Sequence, residues 1–212
     1  MTDSISSRGD NPTIDPTADI RKPWVFYPAK TLARLSFSLF FHLTAEGTES
    51  IPRKRAFVIL SKHQRWEDIP LLGLSSPRPL YYIAKYELFK HPMSGWLLKS
   101  LGGIPLDRAS PLKSRKSLKS VIEFLKRDEG IVLFPEGTYF KDRMGPGHIG
   151  MVRLILSQTE VPFVPAGIKY SQKKGRILVR IRFGEPFYHD SYTPANEFLE
   201  CMMQEIARLS GL

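Results

Sequence analysis

A single cysteine, Cys201, leaves the chain without any internal disulfide, and that usage points to a reducing compartment. The residue falls in a helix-like stretch and reads as a small buried apolar side chain. No G-x-S-x-G elbow offers a serine nucleophile. His42, His91, His148 and His189 show no metal-ligand spacing with cysteines or carboxylates, so no metal is expected. No apolar run approaches the roughly 20 residues that a membrane span needs. No low-complexity stretch divides the 212 residues, which are read as one domain with an N-terminal extension. Acidic residues are also scarce. Against 31 Lys plus Arg stand 21 Asp plus Glu, a formal net charge of +10 that calls for an anionic partner. Nucleic acid, a membrane surface and phosphate-bearing substrates all satisfy that demand. Basic segments over 113–119 and 173–182 would suit nucleic-acid backbones, giving a non-enzymatic binding protein as the reading from another class. Against it, no recognition helix, zinc finger or RNA-binding aromatic signature is present.

What is there begins with a polar stretch over 1–22, carrying Asp3, Asp10, Asp15 and Asp19 and no apolar core. It reads as a disordered tail, neither a signal peptide nor a span. Residues 23–45 mix Trp24, Phe26, Tyr27, Leu32, Leu35, Phe37, Leu39 and Phe40 with Lys30, Arg34 and His42. This composition suits an amphipathic helix in a membrane interface, with Lys30 and Arg34 snorkelling towards phosphates; a core-packing helix is the other reading. Over 46–212, apolar runs at 56–60, 80–84, 104–106 and 131–134 alternate with helical patterns at 93–101, 114–127 and 149–158. Gly130 reads as the close of the second of these helices. A strand over 161–170, at an edge or irregular because of its two prolines, a strand over 176–183 and a helix over 194–209 complete the series. Phe198, Met202, Ile206 and Leu209 put that last helix on the core, while Arg180 and Arg182 face either headgroups or solvent. The expected fold is α/β: a single domain with a mixed, largely buried sheet flanked by helices.

The chemistry gathers at Ser61-Lys62-His63-Gln64-Arg65-Trp66-Glu67-Asp68, directly after the first apolar run. Five steps along a helix turn through about 500°, so His63 and Asp68 meet only if the histidine lies in the turn before the helix. Pro70 supports a helix start there, with Asp68 at its cap. The carboxylate then accepts the Nδ1 proton and leaves Nε2 free to take one from a hydroxyl. The spacing also fits a capping aspartate beside a surface-loop histidine. In open α/β sheets ligands gather beyond the carboxyl ends of strands. His63, Arg108 and Glu136 each follow such a run, so the three are expected on one cleft.

Four stretches in order resemble the glycerolipid acyltransferase family: His63 to Asp68 (H-x4-D), Gly102-Gly103-Ile104-Pro105-Leu106-Asp107-Arg108, Phe134-Pro135-Glu136-Gly137-Thr138, and Val161-Pro162-Phe163-Val164-Pro165. The resemblance implies transfer of a fatty acyl group from acyl-CoA or acyl carrier protein to a lysophospholipid, most simply 1-acylglycerol-3-phosphate. In that reading His63 is the general base and Asp68 its orienter. Arg108 binds the acceptor phosphate, and Gly103, Glu136, Gly137 and Thr138 belong to acceptor binding. Glu136 either bonds glycerol hydroxyls or holds a cation such as Arg108 or a lysine. The thioester is a co-substrate, and no resident cofactor, metal or nucleic acid is implied. With the interfacial helix over 23–45, the resemblance implies a peripheral enzyme on the cytoplasmic face of the cell membrane.

One departure stands out. The family usually carries arginine after F-P-E-G-T, whereas here that position is Tyr139, which leaves Lys141 or Arg143 to supply the charge. It also keeps glycerol-3-phosphate, lyso-ornithine lipid and other lysolipids open as acceptors. Gly145-Pro146-Gly147-His148-Ile149-Gly150 matches G-x-G-x-x-G only formally, because the strand lies too far upstream, proline occupies the turn, and no acidic residue follows at the required distance. Gly150 is expected to mark close helix packing beside the acceptor site.

Overall fold

The computed structural model describes residues 20–107, 111–173 and 175–212, without the side chains of 111–114, 116 and 173. Seven strands form one mixed sheet in the order β1-β7-β6-β2-β5-β3-β4. At its centre β2 (Phe57–Ser61) is buried along its whole length, as its unbroken apolar run requires of a strand covered on both faces. It pairs in parallel with β5 (Gly130–Leu133) on one side and β6 (Phe163–Lys173) on the other. β3 (Leu80–Lys85) and β4 (Gly103–Leu106) extend the parallel region. β7 (Arg176–Phe183) runs antiparallel to β6. β1 (Phe41–Glu46) closes the edge parallel to β7.

Each face of the sheet buries one apolar cluster. Val58, Leu60 and Ile131 meet α4 (Pro111–Lys126), α5 (Ile149–Leu156) and α6 (Ala195–Ser210) through Val121, Phe124, Val152, Ile155, Met202 and Ile206. On the opposite face Phe57, Ile59, Val164, Val179 and Ile181 meet Leu71 and Leu72 of α2 (Asp68–Ser75), and Phe37 of α1 (Pro23–Phe40) packs against that cluster. α3 (Pro92–Ser100) lies between α1 and β4.

Several expectations change. The helix foreseen over 23–45 ends at Phe40, and 41–46 is strand, held by the ladder to β7. Of the tail over 1–22, only 20–22 are described, and they are anchored: Arg21 Nη2 lies 2.9 Å from Glu129 Oε1, and Lys22 N–H donates to Ser100 O at 3.0 Å. Lys30 does not reach outward. It lies on the inner side of α1, its ammonium 3.4 Å from Ser76 O, and burial followed by the repulsion of Arg34 lowers its pKa. β6 is interior, not an edge. Pro165 is tolerated because the antiparallel ladder begins one residue later at Ala166, while the Pro165 carbonyl still accepts from Gly184 N–H. The turn after α4 is taken by Asp128 at φ 61°, and Gly130 starts β5 with its Cα pressed on the Phe57 ring. Cys201 is exposed, off the stripe of Phe198, Met202, Ile206 and Leu209.

The outer side of α1 carries Trp24, Leu32, Leu35 and Leu39, each at least 64% exposed. No helix among the described residues is long and apolar enough to cross a membrane.

Candidate active site

β2 delivers Ser61, Lys62 and His63 to the carboxyl edge of the sheet, and alternation along the strand end sends Lys62 and His63 to opposite sides. A short loop then leads to α2, where Asp68 is the first helical residue rather than the cap. Its carboxylate, fully buried, draws the loop around itself. Oδ2 accepts from Gln64 N–H at 2.6 Å and Arg65 N–H at 2.8 Å, and lies 3.0 Å from His63 Nδ1. A carboxylate can only accept, so Nδ1 carries the proton and Nε2 is the basic nitrogen. The ring is packed between Phe134, with centroids 3.9 Å apart, and the edge of Tyr139 at 4.4 Å. Oδ1 accepts from Tyr170 Oη of β6 at 2.5 Å.

On the other side lies a buried ion pair whose lysine, Lys62, the sequence did not single out. Lys62 Nζ sits 2.9 and 2.8 Å from the two oxygens of Glu136, with both side chains fully buried, and it also donates to Phe140 O at 2.6 Å. Glu136 further accepts from His63 N–H at 3.1 Å and from Gly145 N–H at 2.6 Å. Of its two anticipated roles it therefore takes the second, holding a lysine: its oxygens are spent on protein donors and tie the 134–145 loop to the histidine. Gln64 adds two more ties, donating to Ile168 O at 2.7 Å and accepting from Asp142 N–H at 3.0 Å. The only signal of Lys62 in the sequence was a cation ending an apolar strand.

His63 lines a cavity of about 650 Å³ together with Lys85, Leu118, Gly137, Thr138, Tyr139 and His148. A second cavity of about 570 Å³, almost wholly apolar, runs beneath α1 against Phe26, Ala33, Tyr82 and Leu98. Ile69, Ala84, Leu88 and Tyr139 line both, so the two adjoin along these residues. Tyr139 thus forms the aromatic wall where the family pattern has a cation, and Arg143 stacks on Phe140, 5.4 Å from its ring centroid. Gly137, at φ 67°, makes the turn after Glu136. Gly103 stands apart from the cavity, buried in β4, where an added Cβ would lie 2.8 Å from Leu98 O. Gly150 lines the cavity but leaves open space where a Cβ would go, so the expected close packing is absent. Arg108 lies outside the described residues; in the sequence it follows Leu106, a lining residue, by two positions.

The fold and this site define an α/β protein with a buried histidine–aspartate pair at the carboxyl edge of its sheet, the histidine lining a cavity. The acyltransferase family matches residues 42–169, more than half of the chain, and the protein belongs to that family. A 1-acyl-sn-glycerol-3-phosphate acyltransferase of Bacillus subtilis is 33% identical over 167 residues, 74% of this chain and 81% of that one. A chloroplastic enzyme of the same description from Brassica napus is 34% identical over 147 residues, 68% of this chain; the match spans 42% of that longer protein. The crystal structure of the 1-acyl-sn-glycerophosphate acyltransferase PlsC from Thermotoga maritima superposes with a TM-score of 0.73 at 26% identity, covering 89% of this chain and 79% of that one.

Proposed function

We propose that the protein transfers a fatty acyl group from an acyl thioester, carried by coenzyme A or acyl carrier protein, to the free hydroxyl of 1-acylglycerol-3-phosphate, yielding phosphatidate. The observation that carries this reading is the His63–Asp68 pair at 3.0 Å, with His63 on the wall of one cavity that shares residues with a second, apolar one. Nε2 takes the proton of the acceptor hydroxyl as its oxygen attacks the thioester carbonyl. The tetrahedral intermediate then expels the thiolate, which recovers the proton from the imidazolium. Asp68 fixes the tautomer and stabilises the transient cation. The apolar cavity beneath α1 suits an acyl chain, and Lys85 on the wall of the catalytic cavity, with Arg108 beyond β4, suits the acceptor phosphate. The thioester is consumed as a co-substrate, so the reaction needs no resident cofactor. The relatives named for this acceptor, one of them matched over 81% of its length, support the choice. The outward apolar side of α1 suits peripheral attachment to the cytoplasmic face of a membrane, where the acceptor resides.

The test is thiol release from palmitoyl-CoA in detergent over a panel of acceptors: lysophosphatidate, glycerol-3-phosphate and lyso-ornithine lipid. Lysophosphatidate is expected to support turnover, and His63→Ala to lower it by roughly 10²- to 10⁴-fold, the usual contribution of a general base. A variant as fast as the parent would sink the proposed base. Turnover only with another acceptor would overturn the choice of lysophosphatidate.

A further inference from the structure

The three protein groups on Asp68 Oδ2 all belong to the 63–65 loop, whereas Oδ1 is held from a distant strand. We propose that Tyr170 is a positioning residue of the catalytic pair: its hydroxyl fixes the plane of the Asp68 carboxylate and takes part of the charge that the carboxylate offers the His63 ring. The inference rests on the reading of His63 as the base.

Three features build the contact. Tyr170 stands on β6, where the antiparallel ladder pairs it with Val179 of β7, and Gln64 Nε2 holds the Ile168 carbonyl two residues before it. Its ring is covered by the Arg65 guanidinium, 5.0 Å from the ring centroid, and Arg65 N–H is itself on Asp68. At 2.5 Å the Oη–Oδ1 separation falls in the short range of hydrogen bonds to an ionised acceptor. Burial, reinforced by the Asp68 charge, raises the phenol pKa well above its ordinary value, so the group remains a donor through any assay range.

The consequence for the base has a sign. A carboxylate that already accepts a strong hydrogen bond has less charge to offer an imidazolium, so removing the donor stabilises the imidazolium, and activity should fail at a higher pH on acidification. Other charged or titratable groups face this centre. Lys62 and Glu136 lie behind the His63 backbone, Glu67 and Arg65 flank Asp68, and Tyr139, Lys85 and His148 line the cavity. All of them remain when Tyr170 alone is changed, so the comparison isolates its hydroxyl.

The experiment measures kcat and KM against pH for the full chain and Tyr170→Phe, with thermal unfolding alongside. Expected are a kcat lowered roughly ten-fold, the scale of one hydrogen bond to a charged group, with KM for both substrates nearly unchanged. The acidic limb of the kcat/KM profile should move upward by about half a pH unit or more. 3-Fluorotyrosine at position 170, a stronger donor of almost the same shape, should move that limb the opposite way and guards against a phenylalanine variant that fails to fold. In an Asp68→Asn background Tyr170→Phe should cause no further loss. A profile superimposable on the parent's, or a lower kcat with the limb in place, would overturn the proposal. His63→Ala at parental activity would overturn the base reading instead, separately.

Discussion

Neutralising half of the Lys62–Glu136 pair should cost more than any surface change in this protein, because neither partner has water to fall back on. Lys62→Met leaves the Glu136 carboxylate buried with only the N–H groups of His63 and Gly145. Glu136→Gln leaves an ammonium buried against carbonyls and a neutral amide, with an oxygen for only one of those two N–H groups. Breaking a fully buried pair by removing one partner costs about 3–5 kcal/mol. For a domain of this length each kcal/mol shifts Tm by about 2–4 °C, so either single variant should melt roughly 6–20 °C lower. The double variant Lys62→Met/Glu136→Gln leaves no buried charge unpaired, although its one amide oxygen serves only one of the two backbone N–H groups, and should lose less than the two singles summed. Circular dichroism melts of the four proteins form a double-mutant cycle with a coupling of at least about 2 kcal/mol. Single variants within 1 °C of the parent, or strictly additive losses, would refute the claim that this pair holds the loop. Activity provides a second reading, since Glu136 Oε2 holds the His63 backbone N–H at 3.1 Å. A double variant that recovers stability without recovering kcat would show that the charge pair sets the base's position as well as the fold.

Two further outcomes follow from the surface and from the tyrosines. Glutamate at Leu32, Leu35 and Leu39 together should abolish co-sedimentation with anionic vesicles while leaving turnover of detergent-dispersed substrate within about two-fold, because those side chains point away from the cavities; undiminished sedimentation would contradict attachment through α1. Tyr82 and Tyr170 both have folded pKa values raised above the ordinary 10.0, chiefly by burial, so above pH 10 the unfolded chain loses protons that the folded one keeps. Stability is then complete below pH 10 and falls by about 1.4 kcal/mol per pH unit for each tyrosine above it. Chemical denaturation should give a shallower alkaline decline for Tyr82→Phe, and an identical slope would refute the linkage.

What could be read from the chain divides by sequence distance. The His63–Asp68 pair lies within five residues, and the apolar run before it forces β2 into the centre of the sheet, so both the contact and its setting were legible. Lys62 meets Glu136 across 74 residues, and Tyr170 meets Asp68 across 102. No local pattern carries such pairings; they exist only once β5 and β6 are laid on either side of β2. The strand after Phe40 was missed for another reason: its aromatic content continues that of α1, and only Phe41 and Leu43 turn inward, too short an alternation to separate strand from helix. At Asp128 a competing side chain won the left-handed turn from Gly130, helped by its carboxylate, which accepts Ala56 N–H at 3.2 Å. Lys30 was expected among phosphates because two cations on an aromatic helix usually face water; the cavity beneath α1 supplies instead a carbonyl and a ring.

The edge pairing of β1 with β7 has a consequence in time. Thr44 and Val179 are 135 residues apart, so a ribosome working at about 5–20 residues per second finishes α1 and β1 on the order of ten seconds before the strand that holds them. Throughout that interval the nascent chain carries an unpaired edge and an uncovered row of Trp24, Leu32, Leu35 and Leu39, the combination most prone to self-association. Cell-free synthesis should therefore yield more soluble protein when vesicles are present from the first minute than when they are added after translation ends.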